Sequence, residues 1–360
     1  MLKLGSLFSG YGGLDMAVNE LFGSETAWHC EVDPAACQIL KYRWPSIRNL
    51  GDITKVQWDE VEKVDILCGG SPCQDVSQAG RRAGMYEGTR SNLWREMVSA
   101  IEKLHPKLVI WENVRGVLNA PAFSSSDMER GGGLLDDFAE GHLRALGRVL
   151  GDFTSIGLNA EWGIVRASDV GAPHHRARIF LLAWPSDQDP SRIFKAKDQG
   201  ENATNSESVG WPVRNAENVR PPGGKINAPA NYRRATSKTG RHRRDERCTR
   251  SGGLQSQKAP GEPNRRDPAQ VDFGIYTPAV ERWERLTRPA PCPIEIGPNG
   301  GRRLAAPFAE WMMGLPDGWV TSVPEINRRD QLKAIGNGVC PQQARAAIKA
   351  LIQRVESNYA

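Results

Sequence analysis

The chain has 360 residues, of which 39% are hydrophobic and 25% charged, with a formal charge of +5 and a mean hydropathy of −0.50. That length suits one large domain with a smaller companion, and the composition is that of a soluble globular protein. No apolar run approaches the roughly 18 residues of a membrane span, and MLKLGSLFSG lacks the basic start and long apolar core of a secretory signal, so a cytoplasmic protein without a membrane role is expected.

From Leu2 to Ala183 short apolar runs alternate with helical patterns. The runs are Leu4–Phe8, Ala27–Cys30, Val64–Cys68, Leu108–Trp111, Ala160–Val165 and Ile179–Trp184; helices are predicted over Leu14–Leu21, Pro34–Tyr42, Leu93–Leu104 and Leu143–Ile156. This alternation predicts an α/β fold, a mostly parallel sheet with helices on both faces, whose ligands bind beyond the carboxyl ends of the strands. The texture changes after Trp184. Residues 186–270 hold 17 Lys+Arg against 10 Asp+Glu, leaving 30 against 32 for the rest of the chain, so the positive excess sits in this polar stretch. It suits either a polyanion partner or a solvated, mobile insert. Beyond Phe273, Trp283, Leu286, Phe308, Trp311, Met312, Met313, Leu315 and Trp319 are expected to form a second small core. Gln342 to Val355 has helical spacing and is expected to return to the first domain.

Chemistry-bearing motifs fall at the predicted strand ends. The first strand runs into FSGYGG (Phe8 to Gly13), and Glu31 ends the second. Glycines there let a ligand approach the backbone and a carboxylate suits ribose hydroxyls, although the same pattern serves a plain tight turn. GDIT (Gly51 to Thr54) adds a polar turn in which Asp52 suits an exocyclic amine. GGSPCQDVS (Gly69 to Ser77) places Cys73 after a core strand, as a nucleophile is placed, whereas Cys68 inside the strand reads as a small buried thiol. The seven cysteines are odd in number and form no CxxC pair or His/Cys ladder, so reduced thiols and no metal site are expected. Glu112 ends the apolar run Leu108–Trp111, where an acid is either working or capping a loop. In GAPHHRARIF, Arg176 and Arg178 stand two apart, and both project from one face if the segment is extended.

In this order, FSGYGG, Glu31, GDIT, SPCQ, ENV (Glu112 to Val114), the RAR pair and GNGV (Gly336 to Val339) resemble the DNA cytosine-5 methyltransferase family, over about Leu2 to Trp184 and Arg302 to Ala350. The resemblance implies a Rossmann-like methyltransferase fold plus a smaller target-recognition domain. The expected divisions are a catalytic domain over 1–184, a target-recognition region over 185–325 containing the basic insert, and a returning segment over 326–360.

It also implies the chemistry. Cys73 is expected to add to carbon 6 of cytosine, Glu112 to protonate ring nitrogen 3, Arg178 to contact the cytosine carbonyl and Arg176 a nearby phosphate. S-adenosylmethionine is the implied methyl donor. Phe8, Ser9, Gly10, Gly13 and Leu14 would cradle it, Glu31 would take its ribose, Val32 would pack on the adenine and Asp52 with Ile53 would hold the amine edge. Pro72, Asn337 and Val339 would line the methionine end. Val32 stands where the family often has an aromatic, and His174 replaces the family's glutamine before the arginine pair. The partner implied is duplex DNA, from which the target base is flipped, with Gln74, Ser77, Arg241, Arg243 and Arg244 as its contacts and Phe273 to Trp319 as a second base-reading candidate. A monomer is expected, with a cognate restriction endonuclease acting separately. The alternatives are a transfer RNA cytosine-5 methyltransferase and a catalytically inactive DNA-binding protein on the same fold.

Overall fold

A computed structural model of the chain describes residues 1–71, 92–118, 145–195 and 271–359. Seven strands form one sheet: β1 (Lys3–Leu7), β2 (Glu25–Cys30), β3 (Arg48–Asn49), β4 (Ile66–Gly69), β5 (Leu108–Val114), β6 (Leu158–Arg166) and β7 (Ala177–Pro185). Their order is β3-β2-β1-β4-β5-β7-β6. The first five are parallel neighbours, and β7 runs antiparallel to both β5 and β6. The expected α/β architecture is therefore present.

Helices cover both faces. On one, α3 (Asn92–Leu104) and α4 (Ala145–Ser155) bury Met97, Ile101, Val149 and Phe153 against Leu67, Val109 and Leu181. On the other, α1 (Gly13–Phe22) and the C-terminal helix Pro341–Tyr359 bury Val18, Ile348 and Leu351 against Ile66, Ile110 and Leu182. Strand residues of opposite parity feed opposite clusters, as the pleat requires. Each such aliphatic contributes about 1.5–3 kcal/mol relative to exposure.

Local chemistry sets the helix ends. The helix α2 (Pro34–Arg43) is capped by the Asp33 carboxylate, which accepts from Ala35 and Ala36 amides, and starts on a proline whose fixed φ suits the first turn. The strand β5 extends past the predicted Leu108–Trp111 to Val114. Its polar end stays in the ladder because β7 offers partners there, pairing Phe180 with Glu112 and Arg178 with Val114.

A third cluster gathers the aromatics of the later chain. Helices α5 (Thr277–Leu286) and α6 (Ala306–Met312) supply Trp283, Phe308 and Trp311, joined by Met313 and Leu315, while Leu286, Met312 and Trp319 pack at its edge. Tyr11 and Ile39 from the first segment belong to the same cluster. Glu310 lies fully buried on α6, and its carboxylate accepts amide bonds from Gly318, Val320 and Thr321. The helix α7 (Arg328–Asn337) then leads through Gly338 to Cys340 into the C-terminal helix, α8. Among the described residues no helix is long and apolar enough to cross a membrane.

Candidate active site

Register brings the strand ends together. Cys30 of β2 pairs with Leu7 of β1, Leu7 with Gly69 of β4, and Gly69 with Trp111 of β5. The next residues, Glu31, Phe8, Gly70 and Glu112, therefore leave the sheet side by side. Neighbouring strands lie about 4.8 Å apart, so the turn after β1 and the acid on β5 are separated by roughly 10 Å. This is the crevice beyond the carboxyl ends of parallel strands in which such sheets bind ligands.

On the β1–β2 side the backbone turns sharply. Phe8 and Gly10 have φ of 53° and 57°. Glu31 braces this turn, accepting from the Gly10 amide at 2.8 Å and from the Val32 and Asp33 amides at 2.8 Å each. A Cβ added at Gly10 would meet nothing within 4 Å, so space lies open above the turn. Val32 stands 69% exposed beside it. Asp52 accepts from the Thr54 amide and hydroxyl, which hold its carboxyl below the usual carboxylate range, and Ile53 is buried beneath. An open glycine turn rimmed by an exposed aliphatic and two carboxylates fits a nucleoside ligand with ribose hydroxyls. Ser9 and Leu14 are buried behind the turn, and Gly13 opens α1. Asn337 is exposed at the end of α7, and Val339 is tied to the turn through its carbonyl, which accepts from the Tyr11 hydroxyl at 2.6 Å.

On the β5 side sits a carboxylate–guanidinium pair. Glu112 and Arg178 share a face of the sheet on diagonal positions of the β5–β7 ladder, and Arg178 Nε lies 3.0 Å from Glu112 Oε1. Glu112 is only 8% exposed, and burial raises its proton affinity although Arg178 and Arg176 pull the other way. Burial likewise lowers the Arg178 pKa, with Arg176 adding to the effect. The result is an acid whose proton affinity burial raises, set beside a fixed cation.

The turn that follows β4 is pinned to this pair. A Cβ on Gly70 would come within 2.9 Å of Glu112 Oε2 and 3.2 Å of the Glu112 carbonyl, so a larger residue here would displace the Glu112 carboxylate. Ser71 accepts from Asn113 Nδ2 through its carbonyl at 2.9 Å, and its hydroxyl accepts from Trp111 Nε1 at 3.1 Å. Sequence reasoning had no signal for these contacts or for Tyr11, because each joins segments distant in the chain. The ENV asparagine thus anchors the start of the SPCQ segment.

Pro72, Cys73, Gln74, Ser77, Arg241, Arg243 and Arg244 lie outside the described residues. Cys68 is a fully buried strand thiol whose pKa burial pushes far up, and Cys340 is raised by burial to about 11, so neither is a nucleophile near neutral pH. The expectation that Arg176 and Arg178 project from one extended face is corrected: β7 begins at Ala177, and Arg176 has a φ of 32°. Its guanidinium instead donates to the carbonyls of Gly336 and Gly338. His174 Nε2 lies 2.9 Å from the Met312 carbonyl, linking this segment to the third cluster. Among the described residues no group of His, Cys, Asp and Glu is arranged to hold a metal ion.

The chain is similar to known proteins. The structure resembles the crystal structure of the S. pombe Dnmt2 methyltransferase, with a TM-score of 0.53 over 99% of both chains at 13% identity, a likeness of fold alone. The type II methyltransferase M.NgoBV of Neisseria gonorrhoeae is 30% identical over 185 residues, 50% of this chain and 40% of that protein. A DNA N-6-adenine-methyltransferase of Escherichia phage P1 is 38% identical over 131 residues, 33% of this chain and 17% of that one. The chain thus spans less than half the length of these curated relatives. The family model described as C-5 cytosine-specific DNA methylase matches residues 2–353, nearly the whole chain, and the protein belongs to that family.

Proposed function

We propose that the protein transfers a methyl group from S-adenosylmethionine to carbon 5 of a cytosine flipped out of duplex DNA, through a transient bond between Cys73 and carbon 6. The observation that carries this reading is the buried Glu112–Arg178 pair beside the turn that leads to Cys73. Ser71, which Asn113 holds at this end of the sheet, precedes Cys73 by two residues in the sequence.

Cytosine carbon 5 is a weak nucleophile. Addition of the Cys73 thiolate to carbon 6 while Glu112 delivers a proton to nitrogen 3 turns the ring into an enamine, whose carbon 5 is nucleophilic. Glu112 suits this step because burial raises its proton affinity and because it stands at the strand end beside Arg178. Arg178, 3.0 Å from Glu112, is assigned to the carbonyl next to nitrogen 3 and would stabilise the carboxylate that the transfer leaves behind. When bound, S-adenosylmethionine would supply an electrophilic methyl group and leave as S-adenosylhomocysteine. Glu31, Val32, Asp52 and Asn337 are the residues assigned to hold it. After methylation a base removes the carbon 5 proton, the carbon 6–sulfur bond breaks to release the Cys73 thiolate, and nitrogen 3 returns its proton to Glu112, restoring the aromatic ring.

Duplex DNA is preferred to transfer RNA because the long segment between Arg178 and Arg302 offers room for a sequence-reading surface. The test is incubation with methyl-labelled cofactor and either duplex DNA or transfer RNA, followed by nucleoside analysis. Label in 5-methylcytosine of DNA is expected. Label in N6-methyladenine, or in RNA alone, refutes the reading.

A further inference from the structure

The β6–β7 ladder ends at the Arg166–Ala177 pair, and Arg176, just outside it, occupies the left-handed region with a φ of 32°. A residue other than glycine persists there only where its surroundings impose it. Two contacts do so. The guanidinium is held by the Gly336 and Gly338 carbonyls, and the backbone carbonyl accepts from Gln343 Nε2 at 2.7 Å. The same Gln343 amide donates to the Val165 carbonyl at 2.8 Å, bridging the two strands where their ladder stops.

Gln343 lies on the first turn of α8 and is 0% exposed. Its Oε1 has no hydrogen-bond partner. An apolar side chain of this length would fill the space without burying an unpaired acceptor, so packing alone does not account for a glutamine here. What the amide supplies is two directed bonds that set the backbone immediately before Arg178.

We infer that Gln343 is a positioning residue: by clamping Arg176 in its left-handed conformation it fixes where β7 starts and hence the 3.0 Å approach of Arg178 to Glu112. This inference rests on the methyl-transfer reading above and adds to it a residue that touches neither substrate nor cofactor. The charged and titratable groups that act on Glu112 are Arg178, Arg176 and Tyr11. None of them is altered by a change at Gln343, so an effect on Glu112 must pass through geometry.

The experiment compares the whole protein with Gln343→Met, which keeps length and apolar bulk but has no donor. Misplacing a catalytic group by about 1 Å costs on the order of 100-fold, so kcat for label transfer to DNA should fall by roughly 10- to 100-fold. KM for DNA and cofactor should change little. The limb of the pH–kcat profile that reports Glu112 should move to higher pH, because a displaced Arg178 favours the carboxylate less. A variant that merely loses folded protein would lower amplitude and melting temperature without moving that limb. An unchanged kcat per folded molecule, or an unmoved limb, overturns the inference. If Gln343→Met does not fold, Gln343→Asn, an uncharged amide too short to reach both carbonyls, is held to the same two outcomes. A parent protein without transfer activity overturns the methyl-transfer reading itself, and an active parent with an unaffected variant overturns only the role of Gln343.

Discussion

Replacing Glu112 by glutamine isolates the acid from the shape of its site. The amide matches the carboxylate in volume and keeps an oxygen for Arg178 Nε, which now lies 3.0 Å from Oε1. It cannot deliver a proton to nitrogen 3. General-acid contributions run to about 10²–10⁴-fold, or roughly 3–5 kcal/mol of barrier at 1.36 kcal/mol per tenfold. A loss in that range is therefore expected in single-turnover label transfer, with DNA affinity retained. Stability adds an independent readout. The folded-state pKa of Glu112 is raised by burial, so its contribution to stability is fully present below the ordinary carboxylate range and is lost as pH rises through the raised value. Glu112→Gln should flatten the melting-temperature profile across that window. A loss in transfer below about tenfold, or a pH–stability profile like the parent's, refutes the assignment of Glu112 as a buried acid.

Other expectations follow from the same geometry. Glu31→Ala leaves the Gly10, Val32 and Asp33 amides without their acceptor. At about 0.5–1.5 kcal/mol for each hydrogen bond lost it should lower stability and raise the Kd for S-adenosylmethionine measured by calorimetry; unchanged cofactor affinity would remove Glu31 from the site. Glu310→Ala strands the Gly318, Val320 and Thr321 amides in the third cluster and should cost roughly 3–5 kcal/mol in chemical denaturation, whereas a cost below about 1 kcal/mol would mean that loop holds itself. Neutralising Arg241, Arg243 and Arg244 together should reduce the slope of log K against log salt by about 0.9 per charge lost from phosphate contacts, and an unchanged slope would return that stretch to linker.

Period-2 and period-3.6 patterns made the sheet and its helices legible, since every apolar run from Leu4 to Trp184 lies within or overlaps a strand of the sheet. Strand ends were less legible. The extension of β5 through Glu112 to Val114 depends on β7, more than 60 residues away in sequence, supplying ladder partners to polar residues. The later aromatics were readable as a core, but the participation of Tyr11 and Ile39 was not, because apolar residues carry no mark of which distant cluster they join. At the site, motif order singled out Glu112, Glu31 and the arginines, and the register sets Glu31 and Glu112 at the same end of the sheet. Their couplings were hidden: Asn113 to Ser71, Tyr11 to Val339 and Gln343 to Arg176 are hydrogen bonds between segments whose proximity only folding creates. The expectation of one face for Arg176 and Arg178 failed for a local reason, a left-handed residue at the strand's first turn.

The central claim is covalent attack by Cys73 on cytosine. Duplex DNA carrying 5-fluorocytosine in the target site, incubated with the protein and S-adenosylmethionine, tests it directly, because a fluorine at carbon 5 cannot be removed as a proton and the carbon 6–sulfur bond is trapped. A stable protein–DNA adduct is expected, with the modified peptide containing Cys73, and its absence is expected in Cys73→Ala. Methyl transfer by the parent without such an adduct, or an adduct that persists in Cys73→Ala, would contradict the account.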